Sequence, residues 1–154
     1  MRLMCTAAYA ASQAGKRQQA FERLLEAQRM AKRLTALTGK ADAETFVELY
    51  RLNINYALGD AGKALRVSRD LRPEMFRTPE RKGRLYTDLA RVRWRLGQPQ
   101  ETASALLAAY HEAPSEVCDR PATRRIAEDL ALMHPRVREV RKLTSALAGQ
   151  HSSA

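Results

Sequence analysis

The chain has 154 residues, with 27 lysines and arginines against 17 aspartates and glutamates, a formal charge of +10 and 45% apolar residues. A single domain of this length buries roughly two thirds of the surface that its unfolded form exposes, so it can fold without disulfides or metals. Its two cysteines, Cys5 and Cys118, match no metal or redox spacing. No apolar run approaches the ~18 residues that span a bilayer, and the first residues lack the order of a signal peptide. We therefore expect a cytoplasmic protein without a membrane segment, whose positive charge admits an acidic partner.

Apolar residues recur at intervals of three and four along the chain, and no stretch alternates as a half-buried strand would. Glycine accepts the left-handed conformation that caps helices, and five glycines stand where the periodic segments end: Gly15, Gly39, Gly59, Gly97 and Gly149. The sequence predicts an all-α protein with helices over residues 2–14, 17–38, 44–58, 61–71, 79–96, 99–113, 121–133 and 136–148. Loops are predicted at 39–43, 72–78 and 114–120, and a disordered tail at 149–154.

Three segments align on a glycine: QAGKRQQAFERLLEA, ALGDAGKALRVSRDL and RLGQPQETASALLAA. The aligned glycines Gly15, Gly59 and Gly97 are 44 and 38 residues apart. Each segment has a small residue five positions after the glycine, then further aligned residues four and seven positions beyond that. These are Ala20, Ala64 and Thr102, then Leu24, Ser68 and Leu106, then Ala27, Leu71 and Ala109. Such a pattern is typical of helical hairpins, which need a tight turn and a small residue where the two helices cross.

The repeated pattern resembles the tetratricopeptide repeat, whose consensus has a small residue, a large residue four positions later and a closing proline. The third segment matches best, with Tyr86, Leu89 and Ala90 at consensus places and Pro114 closing it. The resemblance implies a right-handed α-α superhelix of about four helical hairpins. Its parts would be residues 1–38, 44–72 and 79–114 and a capping pair at 119–148, all in one domain over 1–148.

A narrower resemblance covers residues 58 to about 124. The run LGDAGKALRVSRDL, the run ERKGRLYTDLARVRWRLGQPQETASALLAAYHEAP and a helix opened by Arg120-Pro121-Ala122 resemble the C-terminal repeat region of actinobacterial XRE-type helix-turn-helix regulators. In that family the repeats act as the sensor and dimerisation module. The resemblance implies a transcriptional regulator that forms homodimers. We expect its helix-turn-helix domain to be absent from this chain, so that DNA would be bound only through that missing domain.

The tetratricopeptide resemblance also implies a concave groove lined by the first helix of each hairpin. Its ligand would be a protein, a peptide or an anionic small molecule, held by aromatic contacts and by the fork-shaped donors of arginine. The groove candidates are Tyr9, Phe46, Tyr50, Asn53, Arg84, Asp88, Arg91 and Trp94.

Each groove candidate also has an ordinary structural interpretation. Phe46 and Trp94 would by default serve as packing anchors, and Asn53 as an amide that is satisfied within the protein. Residues 77–95 hold seven basic side chains against two acidic ones, half of the net charge. This run is typical first of a solvated helix face whose arginines pair with Asp88.

No catalytic pattern emerges from the sequence. His111, His134 and His151 are isolated, and the chain has neither a glycine-rich phosphate loop nor a nucleophile elbow. We predict a protein without enzymatic activity, cofactor or metal. Besides the regulator, two functions stay open: a standalone tetratricopeptide interaction scaffold, and a basic helical protein that binds nucleic acid directly.

Overall fold

The computed structural model of the chain describes residues 1–151, and side chains as far as residue 149. Nine α-helices and no strand are found among these residues, so the prediction of an all-α protein is confirmed. The helices are α1 Arg2–Gln13, α2 Arg17–Thr38, α3 Asp42–Ala57, α4 Ala61–Ser68, α5 Pro79–Arg95, α6 Pro99–Glu112, α7 Pro114–Cys118, α8 Pro121–Met133 and α9 Arg138–His151. Within this part of the chain no helix has the length and apolar character needed to cross a bilayer. Residues 152–154 of the predicted disordered tail lie outside the described residues.

The chain divides into two compact units, Met1–Met75 and Phe76–Ala154. In the first unit, α3 packs against both α1 and α2 and pairs with α4, and a 3₁₀ turn at Pro73–Met75 follows. In the second unit, α6 packs against α5, α7, α8 and α9. The single domain over residues 1–148 stays a prediction.

Three pairs of helices, α1–α2, α3–α4 and α5–α6, are joined by turns of one geometry. The predicted glycine has a positive φ in each turn: 72° at Gly15, 84° at Gly59 and 68° at Gly97. The backbone N–H of the next residue donates to the carbonyl oxygen five residues earlier, at 2.9, 2.9 and 3.0 Å, as in a Schellman cap. Because a left-handed φ strains a residue that has a side chain, the turn itself requires glycine at these three positions.

In or just after its second helix, each hairpin buries the residues that the alignment singles out. Ala20, Ala64 and Thr102 have no exposed surface, and the hydroxyl of Thr102 donates to the carbonyl oxygen of Gln98 at 2.6 Å. The six aligned positions further along are buried as well: Leu24, Ser68, Leu106, Ala27, Leu71 and Ala109. The internal repeat of the sequence therefore corresponds to three hairpins with equivalent buried positions.

Several predicted boundaries are wrong. Residues 114–118, predicted as loop, form α7, because Pro114 occupies the first turn of a helix, where the missing N–H costs nothing. Helix α4 ends at Ser68 rather than at 71, and Leu71 is buried from the turn that follows. Gly149, predicted to end the last helix, lies inside α9, since a glycine in a helix costs only about 1 kcal/mol relative to alanine.

The last two long helices differ from the first three hairpins. Helix α9 packs more extensively against α6 than against α8, whereas in each earlier hairpin the two helices are each other's main neighbours. Val140 and Leu143 of α9 are buried in one cluster with Leu106 of α6 and Leu130 of α8. The same cluster contains Ala90 of α5, so the core of the second unit joins four helices rather than two.

Candidate functional site

The first unit brings three of its four groove candidates together. The ring centroids of Tyr9 on α1 and Tyr50 on α3 are 6.5 Å apart and the rings meet edge to face, while Phe46 lies 5.0 Å from Tyr50. All three rings are half-buried and pack against the core. The guanidinium of Arg2 lies 5.7 Å from the centroid of the Phe46 ring, within the range of a cation–π contact. The cluster therefore has an apolar base and a basic edge.

Asn53, the fourth candidate of this unit, is half-buried one turn after Leu49 on α3. Its Nδ2 donates to the carbonyl oxygen of Leu49 at 3.1 Å. Asn55 is buried and donates in the same way to the carbonyl oxygen of Arg51 at 2.9 Å. The amide of Asn53 is thus engaged within its own helix, as the ordinary interpretation of this residue requires.

In the second unit, Arg84, Asp88 and Arg91 lie on one face of α5. Asp88 is only 3% exposed, and its Oδ1 lies 3.9 Å from Nε of Arg84 and 3.5 Å from Nη1 of Arg91. Both arginines keep exposed side-chain surface, 45% for Arg84 and 27% for Arg91. A buried carboxylate between two partly exposed guanidiniums orients them, so Asp88 is suited to hold the arginines rather than to touch a ligand.

Trp94 is half-buried on the same helix, one turn beyond Arg91. It packs against the core cluster of the second unit, and its ring meets that of His134 edge to face with centroids 6.3 Å apart. The tryptophan is therefore first a packing anchor, with part of its surface left open to solvent.

A charged pair that was not predicted from the sequence lies close to Arg84 of α5. Glu116 of α7 is buried, and Arg120 meets both of its oxygens: Nη2 donates to Oε1 at 3.0 Å and Nε lies 2.5 Å from Oε2. Burial raises the pKa of Glu116, the charge of Arg84 lowers it, and the charges of Asp88 and Glu80 raise it. The four-residue spacing of Glu116 and Arg120 is the signal that would have indicated this pair, had residues 114–118 been recognised as helical.

A second basic surface also escaped prediction. A shallow groove of about 500 Å³ runs between α6 and α9, with Arg138, Arg141 and Lys142 on one side and His111 on the other. The three cations are exposed, and Leu107 contributes an apolar strip to the groove. This arrangement suits contact with anions.

In the part of the chain that the structure describes, no three His, Cys, Asp or Glu side chains converge on a point that could hold a metal ion. No protein-family model matches the chain, and comparison with curated proteins and with solved structures finds no match either. The resemblances to the tetratricopeptide repeat and to XRE-type regulators stay predictions.

Proposed function

We propose that the protein is a non-enzymatic helical-repeat binding module and that α5 recognises an acidic peptide. The observation that carries the proposal is the pair of arginines, Arg84 and Arg91, held on one face of α5 by the buried carboxylate of Asp88. Guanidiniums already oriented by a carboxylate lose little freedom when they bind a second anion at their exposed edge.

The spacing of the two arginines specifies the peptide. They are seven residues apart, which corresponds to about 10 Å along a helix that rises 1.5 Å per residue. A polyproline II peptide rises about 3.1 Å per residue and returns to the same face every third residue, so two of its side chains on one face are about 9 Å apart. The matching ligand is an extended peptide with acidic side chains three positions apart.

The wider proposal follows the resemblances of the sequence. The hairpins would stack as a tetratricopeptide superhelix, and the module would serve as the sensor and dimerisation part of an XRE-type transcriptional regulator. Its support is the run of matching residues from 58 to about 124, together with the three equivalent hairpin turns. Reading the genomic DNA immediately upstream of the Met1 codon tests this proposal. An in-frame helix-turn-helix segment would support it, and its absence would favour a standalone scaffold.

Fluorescence anisotropy with a labelled proline-rich peptide tests the peptide site. Peptides with two glutamates three positions apart are compared with peptides in which the glutamates are two apart or replaced by glutamine. Replacing both Arg84 and Arg91 by alanine is expected to weaken binding of the first peptide about tenfold. The matched control replaces Arg66 and Arg69 on the first unit, which removes the same charge from exposed positions.

Replacing Arg84 and Arg91 together takes both arginine partners from the buried Asp88, so circular dichroism melts are used to check that each variant is folded. If the Arg84/Arg91 and the Arg66/Arg69 double variants lose the same affinity for the peptide, then binding depends on the net charge of the protein and not on the arginines of α5. Indifference to glutamate spacing would contradict the assignment to this arginine pair.

Direct binding of nucleic acid is the second candidate, favoured by the basic groove between α6 and α9. A gel shift at two salt concentrations tests it, since phosphate contacts release counterions and weaken steeply as salt rises. Replacing Arg138, Arg141 and Lys142 by alanine should then abolish the shift, while the Arg84 and Arg91 double variant should keep most of it.

A further inference from the structure

The second unit contains a pocket of about 500 Å³ among α7, α8 and α9. Its apolar wall is formed by Val117, Ala127, Ala131 and Leu147. The volume lies within the range of small-molecule sites, which are mostly apolar with a few polar groups that fix the ligand's orientation. Two of the wall residues are alanines, and the short side chains leave room that a larger residue would fill.

The charges at the mouth of the pocket sum to one negative charge. Arg124 and Glu128 of α8 neutralise each other, with Nε of the arginine 3.9 Å from Oε1 of the glutamate. Asp119, which follows α7, is exposed at the same mouth, and no ion pair of its carboxylate is seen within the described residues. A cationic group on a ligand would therefore find a partner there, and an anionic group would not.

Cys118 also lines the pocket, beside Asp119. Burial and the neighbouring carboxylate raise the pKa of the Cys118 thiol, so the thiol stays protonated at neutral pH and is a weak nucleophile. Its half-buried position makes its modification rate sensitive to anything that occupies the pocket. Cys5, the other cysteine, has no exposed surface and lies in the first unit.

We propose that this pocket binds a small apolar molecule that carries one amine. The apolar body would lie against the wall of Ala127, Ala131 and Leu147, and the ammonium would face Asp119 at the mouth. The pocket shares no residue with the arginine pair of α5, so this proposal can be tested independently of the proposed peptide site.

Protection of Cys118 from alkylation by iodoacetamide, followed by mass spectrometry on the full chain, tests the proposal. The probes are tryptamine, tryptophol and indoleacetate, which share an indole body and end in an amine, an alcohol and a carboxylate. Tryptamine at about ten times its Kd should slow the alkylation about tenfold. Tryptophol should bind about threefold more weakly than tryptamine, and indoleacetate more weakly still. Cys5 should stay unmodified throughout, which shows that the first unit has not unfolded, and the fluorescence of Trp94 checks the second unit.

Three variants separate the apolar part of the proposal from the charge. Asp119→Asn should make tryptamine and tryptophol equally protective, and Asp119→Lys should make indoleacetate the strongest probe. Ala131→Phe should fill the pocket and remove the protection, whereas Ala148→Phe, at an exposed position of α9 outside the pocket wall, should keep it.

Failure of all three probes to protect Cys118 at millimolar concentration would overturn the proposal. So would protection that survives in Ala131→Phe, since the probes would then bind elsewhere. Protection by the three probes in equal measure, unchanged by either substitution of Asp119, would overturn the assignment of an amine ligand.

Discussion

Replacing Gly83 by alanine tests how tightly α5 is docked in the second unit. Gly83 is buried early in α5, and a Cβ added there would lie 3.1 Å from the Cβ of Ala113 and 3.2 Å from Cγ of Glu116. Comfortable carbon–carbon contacts are about 3.5–4.0 Å, so both neighbours would have to move by several tenths of an ångström. Neither is free to do so, because the Cβ of Ala113 is fixed to the backbone between α6 and α7 and Glu116 is clamped by Arg120.

Two opposing effects set the magnitude. Alanine favours a helix over glycine by about 1 kcal/mol, whereas overpacking a buried contact costs about 1–3 kcal/mol. With both neighbours constrained, we expect Gly83→Ala to lower the free energy of unfolding by about 1 kcal/mol. Gly62→Ala is the matched control, because Gly62 lies in α4 with nothing within 4 Å of an added Cβ. It should raise the free energy of unfolding by up to about 1 kcal/mol.

Urea denaturation followed by circular dichroism measures both variants. The fluorescence of Trp94 follows the second unit, which contains Gly83 and not Gly62. If Gly83→Ala stabilises the protein as much as Gly62→Ala does, the close packing of α5 against the α6–α7 junction is refuted.

Two further predictions concern the repeat and the buried acid. Ala64→Leu places extra atoms at a fully buried helix crossing and should lower the free energy of unfolding by about 1–3 kcal/mol. The control is Ala36→Leu at an exposed position, which should change the free energy of unfolding little. Equal effects of the two substitutions in urea denaturation would contradict the placement of Ala64 at a helix crossing. The pKa of Glu116 is raised above its usual 4.5, so the folded state binds a proton at higher pH than the unfolded state does. The contribution of this group to the free energy of unfolding is therefore greatest below pH 4.5 and is lost as the pH rises through the folded-state pKa. Relative to Glu116→Gln, the natural protein should therefore become more stable as the pH falls from about 7 towards 4.5, and a difference that is independent of pH would refute this.

The hairpins were predictable because their determinants are local. A glycine that must adopt a positive φ and a small residue five positions later are both visible in the sequence, and both hold at Gly15, Gly59 and Gly97. Helical periodicity places the chain in the all-α class for the same reason, since it depends only on neighbours three and four residues apart.

The region after residue 113 was harder to predict because its structure depends on contacts that are distant in sequence. A proline at position 114 indicates equally the start of a helix or a break, and only the burial of Glu116 and Val117 against the rest of the unit decides between them. Nothing in the pattern of α9 indicates that it packs on α6 rather than on α8.

In the candidate site, too, the features set by local spacing were predictable and those set by distant contacts were not. Spacing on α5 correctly places Arg84, Asp88 and Arg91 on one face, but it does not tell how far that face is buried. In the structure Asp88 is ion-paired with each arginine, and both arginines keep exposed surface. The sequence leaves open whether Asp88 pairs with its arginine neighbours or lines a groove beside them, and only the structure shows that Asp88 is the buried member of the three.

The pocket among α7, α8 and α9 could not be predicted at all, because an empty space has no sequence pattern of its own. Its wall combines residues from three helices, one of which was expected to be a loop, and it exists because Ala127 and Ala131 are small where α7 and α9 leave room. Cys118 and Asp119 lie in the segment predicted as a loop, and only their place at the pocket suggests a chemical role for them. A binding pocket of this kind can therefore be found only from the packing of the folded protein. A site made by charges spaced along one helix, such as the arginine pair of α5, can be found in the sequence.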